Sequence, residues 1–297
     1  MISVLLTLLA LIAFATNSIL CRSALLSHSI GPLEFASIRL SSGIIALLPI
    51  LLFRRQWFGP QDEAQSSQAR SLVIGWPTIA PAAMLFSYAL FFSLAYVQLS
   101  TGTGALILFA SVQITMMGIT VARGTKVLPL QWVGMVVSFG GLLYLLSPGL
   151  SAPSLSGAIL MVIAGVSWGI YSVLGRREQR AVIATARNFL FCLPGVVVLA
   201  VIVMVRSLST GGAHVTSKGV LLAMASGAVA SGMGYVLWYV AVKRISTATA
   251  SVAQLLVPVF AAMGGVLLLH ESLTVRLGLA LASIAGGVAL TIVKGKR

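Results

Sequence analysis

A few side chains inside otherwise apolar runs could bind a small molecule: Asn17, Tyr88, Gln113, Trp168, Tyr171, Tyr235, Trp238 and Gln254. An amide side chain can donate to a carboxylate and accept from an ammonium. Aromatic faces suit cations and apolar bodies. Together these groups could hold a zwitterion without a fixed ion pair. Each has a plainer reading. Tyr and Trp gather at membrane interfaces, which explains Trp57, Trp76 and Trp132 better than a site does. Asn17, Gln113 and Gln254 could instead bond across helices as packing glue. Arg39 and Arg187 are expected to snorkel, or to pair with helix-end carbonyls, rather than to touch a ligand. Pro258 lacks an N–H and crowds the carbonyl of Gln254, so it reads as a hinge or as a plain packing kink.

The absences carry as much chemistry. The acidic residues are Glu34, Asp62, Glu63, Glu178 and Glu271, all in loops or at the ends of apolar runs. A carboxylate near the bilayer centre, the usual proton carrier or cation ligand, is therefore not expected. His28, His214 and His270 also fall at connections. No G-x-x-x-x-G-K-[ST] phosphate loop occurs, and His270-Glu271 lacks the second His of a zinc-protease helix. Cys21 and Cys192 form no disulfide framework and read as small apolar packing residues. No catalytic set, metal site or cofactor is expected.

The elements that must position these residues follow from composition. Of 297 residues, 59% are hydrophobic and 8% charged, with a mean hydropathy of +1.06. A soluble domain carries about 25% charged residues, and a disordered chain more polar ones still. Both are excluded, and the solvent must be mostly lipid. The net charge of +14 comes from cations clustered between apolar runs, a topology pattern rather than a nucleic-acid face. Ten runs are long enough to span, at 3–21, 32–53, 72–97, 103–122, 128–147, 157–174, 182–205, 219–242, 249–269 and 274–293. The first does not read as a cleavable signal, because no basic residue precedes it. With the N-terminus in the cytoplasm, thirteen cations fall in cytoplasmic segments. Four, Arg22, Arg206, Lys218 and Arg276, fall outside. Both termini are therefore expected in the cytoplasm. The longer loops, 54–71 and 206–218, are too short for a separate domain.

An internal repeat runs through the chain. Asn17 to Arg22 lines up with Tyr171 to Arg176, Arg39 with Arg187, Ser100-Thr101-Gly102-Thr103 with Ser246-Thr247-Ala248-Thr249, and Gly140-Gly141 with Gly286-Gly287. The expected architecture is an all-α integral membrane protein of ten transmembrane helices. Residues 1–150 and 151–297 would form two five-helix copies. Five is odd, so the copies enter the membrane from opposite sides, the inverted-topology build common among secondary transporters. Ser100-Thr101 and Ser246-Thr247 read as caps of the helices that follow. Gly278, Ala282 and Gly286 make a small-residue ladder, read as intramolecular packing or, less simply, as a dimer seam. A monomer is expected.

The chain resembles the EamA family of the drug/metabolite transporter superfamily over nearly its whole length. The resemblance rests on the 5+5 repeat, Trp168-Gly169, the repeated Arg39 and Arg187, Pro258 within Leu256-Val257-Pro258-Val259, and His270-Glu271-Ser272-Leu273. The first copy departs from the pattern: Phe14-Ala15 stands for Trp-Gly, Val112 for the proline and Gly124-Thr125 for the acidic motif. Ser87-Tyr88, Trp168, Tyr235 with Trp238, and Pro258 look like the YddG-type amino-acid exporters. The resemblance implies alternating-access export of neutral or aromatic amino acids across an inner membrane. A broad drug or nucleotide-sugar carrier is the alternative, and a membrane-embedded enzyme or sensor the alternative of another class.

Overall fold

The computed structural model describes residues 2–53, 76–124, 129–147, 152–175, 178, 180–210, 215–242, 253–254 and 256–292. The loop expected at 54–71, with Asp62 and Glu63, lies outside the described residues, as does Ser246 to Thr249. No strand occurs among the described residues. The helices are α1 (Ile2–Leu26), α2 (Pro32–Leu52), α3 (Trp76–Ala95), α4 (Thr101–Ala122), α5 (Pro129–Leu146) and α6 (Leu155–Gly175). They continue with α7 (Ala181–Phe191), α8 (Leu193–Thr210), α9 (Ser217–Met224), a π-helix (Ala225–Met233), α10 (Gly234–Val242), α11 (Leu256–Leu269) and α12 (Val275–Ile292).

Seven helical stretches among the described residues are long and apolar enough to cross a membrane. Three further apolar helices, Trp132–Leu146, Leu256–Leu269 and Val275–Gly287, are shorter. Their outward faces are oily. Val136, Phe139 and Leu143 on α5, Val197, Val201 and Leu208 on α8, and Leu267 and Leu268 on α11 are all exposed. Water would make such a surface prohibitively costly, and lipid makes it cheap.

Two local sequences shape the helices beyond simple hydropathy. The run 182–205 is not one uninterrupted helix: it breaks at Cys192. Pro194, two residues on, has no N–H to donate, and its ring crowds the carbonyl of Leu190. The run 219–242 contains the π-helix, whose sequence Ala-Ser-Gly-Ala-Val-Ala-Ser-Gly-Met is almost all small. In a π-helix bonds run from i to i+5, so residues five apart sit near one face. Ser226 and Ser231 are such a pair, and both turn inward, fully buried. Gly227 lets α2 come close. A Cβ there would collide with the Arg39 carbonyl and with Ser42 Oγ. Gly227→Ala is therefore expected to lower stability by about 1–3 kcal/mol or to prevent folding. The melting temperature of the purified variant checks this.

Around this core, α6 packs on α3 and α4, while α1 packs on the α9–π–α10 stretch and on α11. The helix α2 lies against α7, α4 against α11, and α5 against α12. The α5–α12 contact runs over Gly141, whose Cβ would meet Ser283, and Gly287, whose Cβ would meet Ser138 and the carbonyl of Gly134. The ladder of Gly278 and Gly286 points elsewhere. A Cβ at either would meet nothing within 4 Å, and Ala282 is exposed. Intramolecular packing, the simpler expectation for that ladder, is not its role among the described residues. Pro258 is buried near the start of α11.

Candidate functional site

The buried polar and aromatic residues converge at the middle of the helix bundle. Phe14 and Ser18 arrive from α1, Tyr88 and Phe92 from α3, Leu108 and Phe109 from α4, Trp168 from α6, and Tyr235 from α10. They surround a space of only about 10 Å³, room for about one water. That is far below the roughly 300–1,000 Å³ usual for small-molecule sites, so the site is plugged by its own side chains. The rings themselves close it. Trp168 packs on Phe14, Tyr88, Tyr171 and Tyr235, with centroids 5.9, 4.9, 5.3 and 4.7 Å away. Phe14 also meets Tyr235 and Trp238 edge-on, at 5.8 and 5.7 Å. Such tilted and T-shaped pairs favour the cluster beyond area burial, by about 0.5–1.5 kcal/mol each.

A polar seam runs behind the rings. Asn17 donates to the Tyr88 hydroxyl at 3.3 Å and accepts from Ser226 Oγ. Arg39 donates through Nη2 to the hydroxyls of Tyr88 and Tyr235, each at 3.2 Å, and through Nε to Ser231 Oγ at 3.1 Å. Its guanidinium also lies over the rings of Tyr88 and Phe92, 5.1 and 4.8 Å from their centroids. Arg39 is 1% exposed. It neither snorkels nor pairs with helix-end carbonyls, because α2 places it facing α3 and the π-helix at mid-bundle. Its repeat counterpart behaves differently. Arg187 bonds Glu178 at 2.8 Å near the end of α6.

Of the eight candidate residues, Asn17, Tyr88, Trp168, Tyr171, Tyr235 and Trp238 come together in this cluster. Gln113 stands half-buried on α4 and does not line the cavity. Gln254 is buried just before α11 and does not line it either. The residues that sequence reasoning missed are Phe14, Ser18, Phe92, Leu108, Phe109 and, as a site member, Arg39. Signals existed for two of them. Phe92 is one helical turn beyond Tyr88, on the same face. Phe14 stands at the repeat position of Trp168.

One end of the bundle is latched by the His270-Glu271 segment. His270 takes a positive φ of 54°, and Glu271 N–H then bonds back to the carbonyl of Gly265. This turn aims the Glu271 carboxylate at two partners. Arg22 Nε at the end of α1 donates to it at 3.2 Å. The Thr101 N–H at the start of α4 donates to its two oxygens at 3.1 and 2.8 Å. Arg22 also donates to the carbonyls of Tyr96 and Val97 at the end of α3. The cap of α4 thus comes from Glu271 and not from Ser100, whose hydroxyl turns instead to Thr103 Oγ1. A carboxylate is the stronger acceptor for a helix N-terminus.

Residues 1–147 and 155–293 both match the model of the EamA-like transporter family. The chain belongs to that family. Among its relatives, an uncharacterized protein of Pseudomonas aeruginosa is 41% identical over 290 residues, 98% of this chain and 94% of that protein. The uncharacterized transporter YoaV of Bacillus subtilis is 25% identical over 265 residues, 88% of this chain and 87% of its own. A solved crystal structure superposes with a TM-score of 0.66 at 20% identity, over 97% of this chain and 96% of the other, a likeness of fold. Membership in the EamA-like family makes this chain a multi-pass membrane protein of a transporter family rather than an enzyme.

Proposed function

We propose that this EamA-family chain exports small metabolites, neutral or aromatic amino acids foremost, by alternating access, as the YddG-type exporters it resembles do. The observation that carries the proposal is the closed aromatic cavity, because rings that plug a central site must part to either side to pass a ligand. The same reading takes the helices as ten crossings of the inner membrane in two inverted five-helix sets, with both termini cytoplasmic and the chain acting as a monomer. Several features support it. The family model matches once on each side of residue 150. Phe14 and Trp168, at equivalent repeat positions, touch across the cavity at 5.9 Å. Exchanging the two sets maps the packing of α6 on α3 and α4 onto that of α1 on the α9–π–α10 stretch and α11. Pro258, at the start of α11, is the hinge in this cycle, with Gln254 beside it and Gln113 on the facing helix α4.

The described acids stand away from the cavity: Glu34 at the start of α2, Glu178 beside Arg187, and Glu271 in the latch. Transport is then facilitated rather than coupled through an intramembrane carboxylate. Purified protein in proteoliposomes preloaded with unlabelled phenylalanine is expected to accumulate labelled phenylalanine transiently with no ion gradient. Absence of exchange with every amino acid tested would overturn the transport reading. Uphill accumulation driven by a pH gradient alone would overturn the uncoupled one.

A further inference from the structure

From the surroundings of Arg39 we infer that it is the anchor for an anionic group, so that the substrate must carry a carboxylate while its ammonium is dispensable. This rests on the transport reading above. Arg39 is 1% exposed, and its partners are three neutral hydroxyls, those of Tyr88, Tyr235 and Ser231. Its Nη1 has no hydrogen-bond partner among the described residues. A buried guanidinium normally has a counter-anion, and leaving a donor unmade in a low-dielectric interior is costly. The described carboxylates are engaged elsewhere or far along the helices, with Glu271 on Arg22, Glu178 on Arg187, and Glu34 beside a lateral cleft with Ser37 and Val215. With no described carboxylate at Arg39, the neutralising anion is assigned to the ligand.

Geometry places that demand at the cavity. The Arg39 side chain touches three of the cavity's lining residues, Tyr88, Phe92 and Tyr235. In the closed form those rings lie between the guanidinium and the cavity. When they part, the planar fork of donors fits a carboxylate in a bidentate pair. The apolar body of the ligand then lies against Trp168 and Phe14. An ammonium meets only ring faces there, a weaker hold than a fixed counter-charge. No described carboxylate lines the cavity. The zwitterion held without a fixed ion pair, expected from residue types alone, becomes a ligand held at one end by a fixed cation.

The test uses a matched set: phenylalanine, 3-phenylpropanoate, phenethylamine and phenylalanine amide. Each competes with labelled phenylalanine in proteoliposome counterflow and is added separately in a thermal-shift measurement. Phenylalanine and 3-phenylpropanoate are expected to compete and to raise the melting temperature. The two compounds without a carboxylate are expected to compete ten- to hundredfold more weakly, as loss of a charge-assisted pair implies. Arg39→Lys should keep the acid preference in weakened form, and Arg39→Met should abolish it. Equal competition by the amine and the acid overturns the anchor while leaving transport standing. Unchanged acid preference in Arg39→Met overturns it too. Should Arg39→Met fail to fold, the panel on the unmodified protein and on Arg39→Lys still decides. Failure of every compound to exchange or to stabilise defeats the transport reading and the anchor with it.

Discussion

Replacing Glu271 is expected to unlatch one end of the bundle, and to do so in two steps. Glu271→Gln keeps an oxygen that can accept the Thr101 N–H but loses the ion pair with Arg22. Glu271→Ala loses both. The pair is well shielded, with side-chain exposures of 14% and 12% for Arg22 and Glu271. Breaking a fully buried pair leaves an uncompensated charge and costs about 3–5 kcal/mol. Arg22 retains the carbonyls of Tyr96 and Val97, so the glutamine variant should lose less, about 2 kcal/mol. The alanine variant should lose about 1 kcal/mol more for the missing cap. The melting temperatures of the two detergent-purified variants are the readout. Because the carboxylate joins α1, α3 and α4 to the end of α11, a loosened latch should also make the cavity more accessible from that end. Equal melting temperatures for the original protein and both variants would remove the latch from the account.

Trp168→Ala is expected to be the most damaging single change in the cavity. The indole is 4% exposed and meets four other rings at 4.7–5.9 Å. Truncating a buried Trp costs about 3–5 kcal/mol, the spread reflecting how far neighbours collapse into the space. Here collapse is hindered, because Tyr88 and Tyr235 are held by Arg39. Transport should therefore fall at least tenfold while the protein still inserts. Trp168→Phe, which keeps a ring against Phe14, should recover most of the stability and part of the rate. Counterflow of labelled phenylalanine, normalised to inserted protein, gives the comparison. Normal transport by Trp168→Ala would take the residue out of the site, whatever its effect on stability.

The behaviour of individual residues shows how far the fold and site were legible. The helices follow from hydropathy alone, because a segment in lipid must satisfy its own backbone, and a helix does so locally. The break at Cys192 was equally available, since Pro194 announces it. The π-helix was not. Nothing in a small-residue run states whether bonds go to i+4 or i+5, and the register is decided by Arg39 and Asn17 reaching for Ser231 and Ser226. Tyr88, Trp168 and Tyr171 were legible as aromatic residues too deep for an interface. Arg39 was misread for a physical reason: an isolated intramembrane cation snorkels by default. Only the meeting of α2, α3 and the π-helix supplies the three hydroxyls that hold it inside. The cap of α4 was misassigned in the same way. Ser100 sits at the right local position, but a carboxylate 170 residues away is the better acceptor.

Alternate opening of the plugged cavity to the two sides of the membrane is the central expectation. Ser18 lines that cavity and is buried, and Cys21 and Cys192 can be replaced by alanine to leave a single reporter. With Ser18→Cys in that background, a membrane-impermeant thiol reagent should react from either face of oriented vesicles, and phenylalanine should slow both reactions. Reaction confined to one face under every condition, or a rate indifferent to ligand, would contradict it.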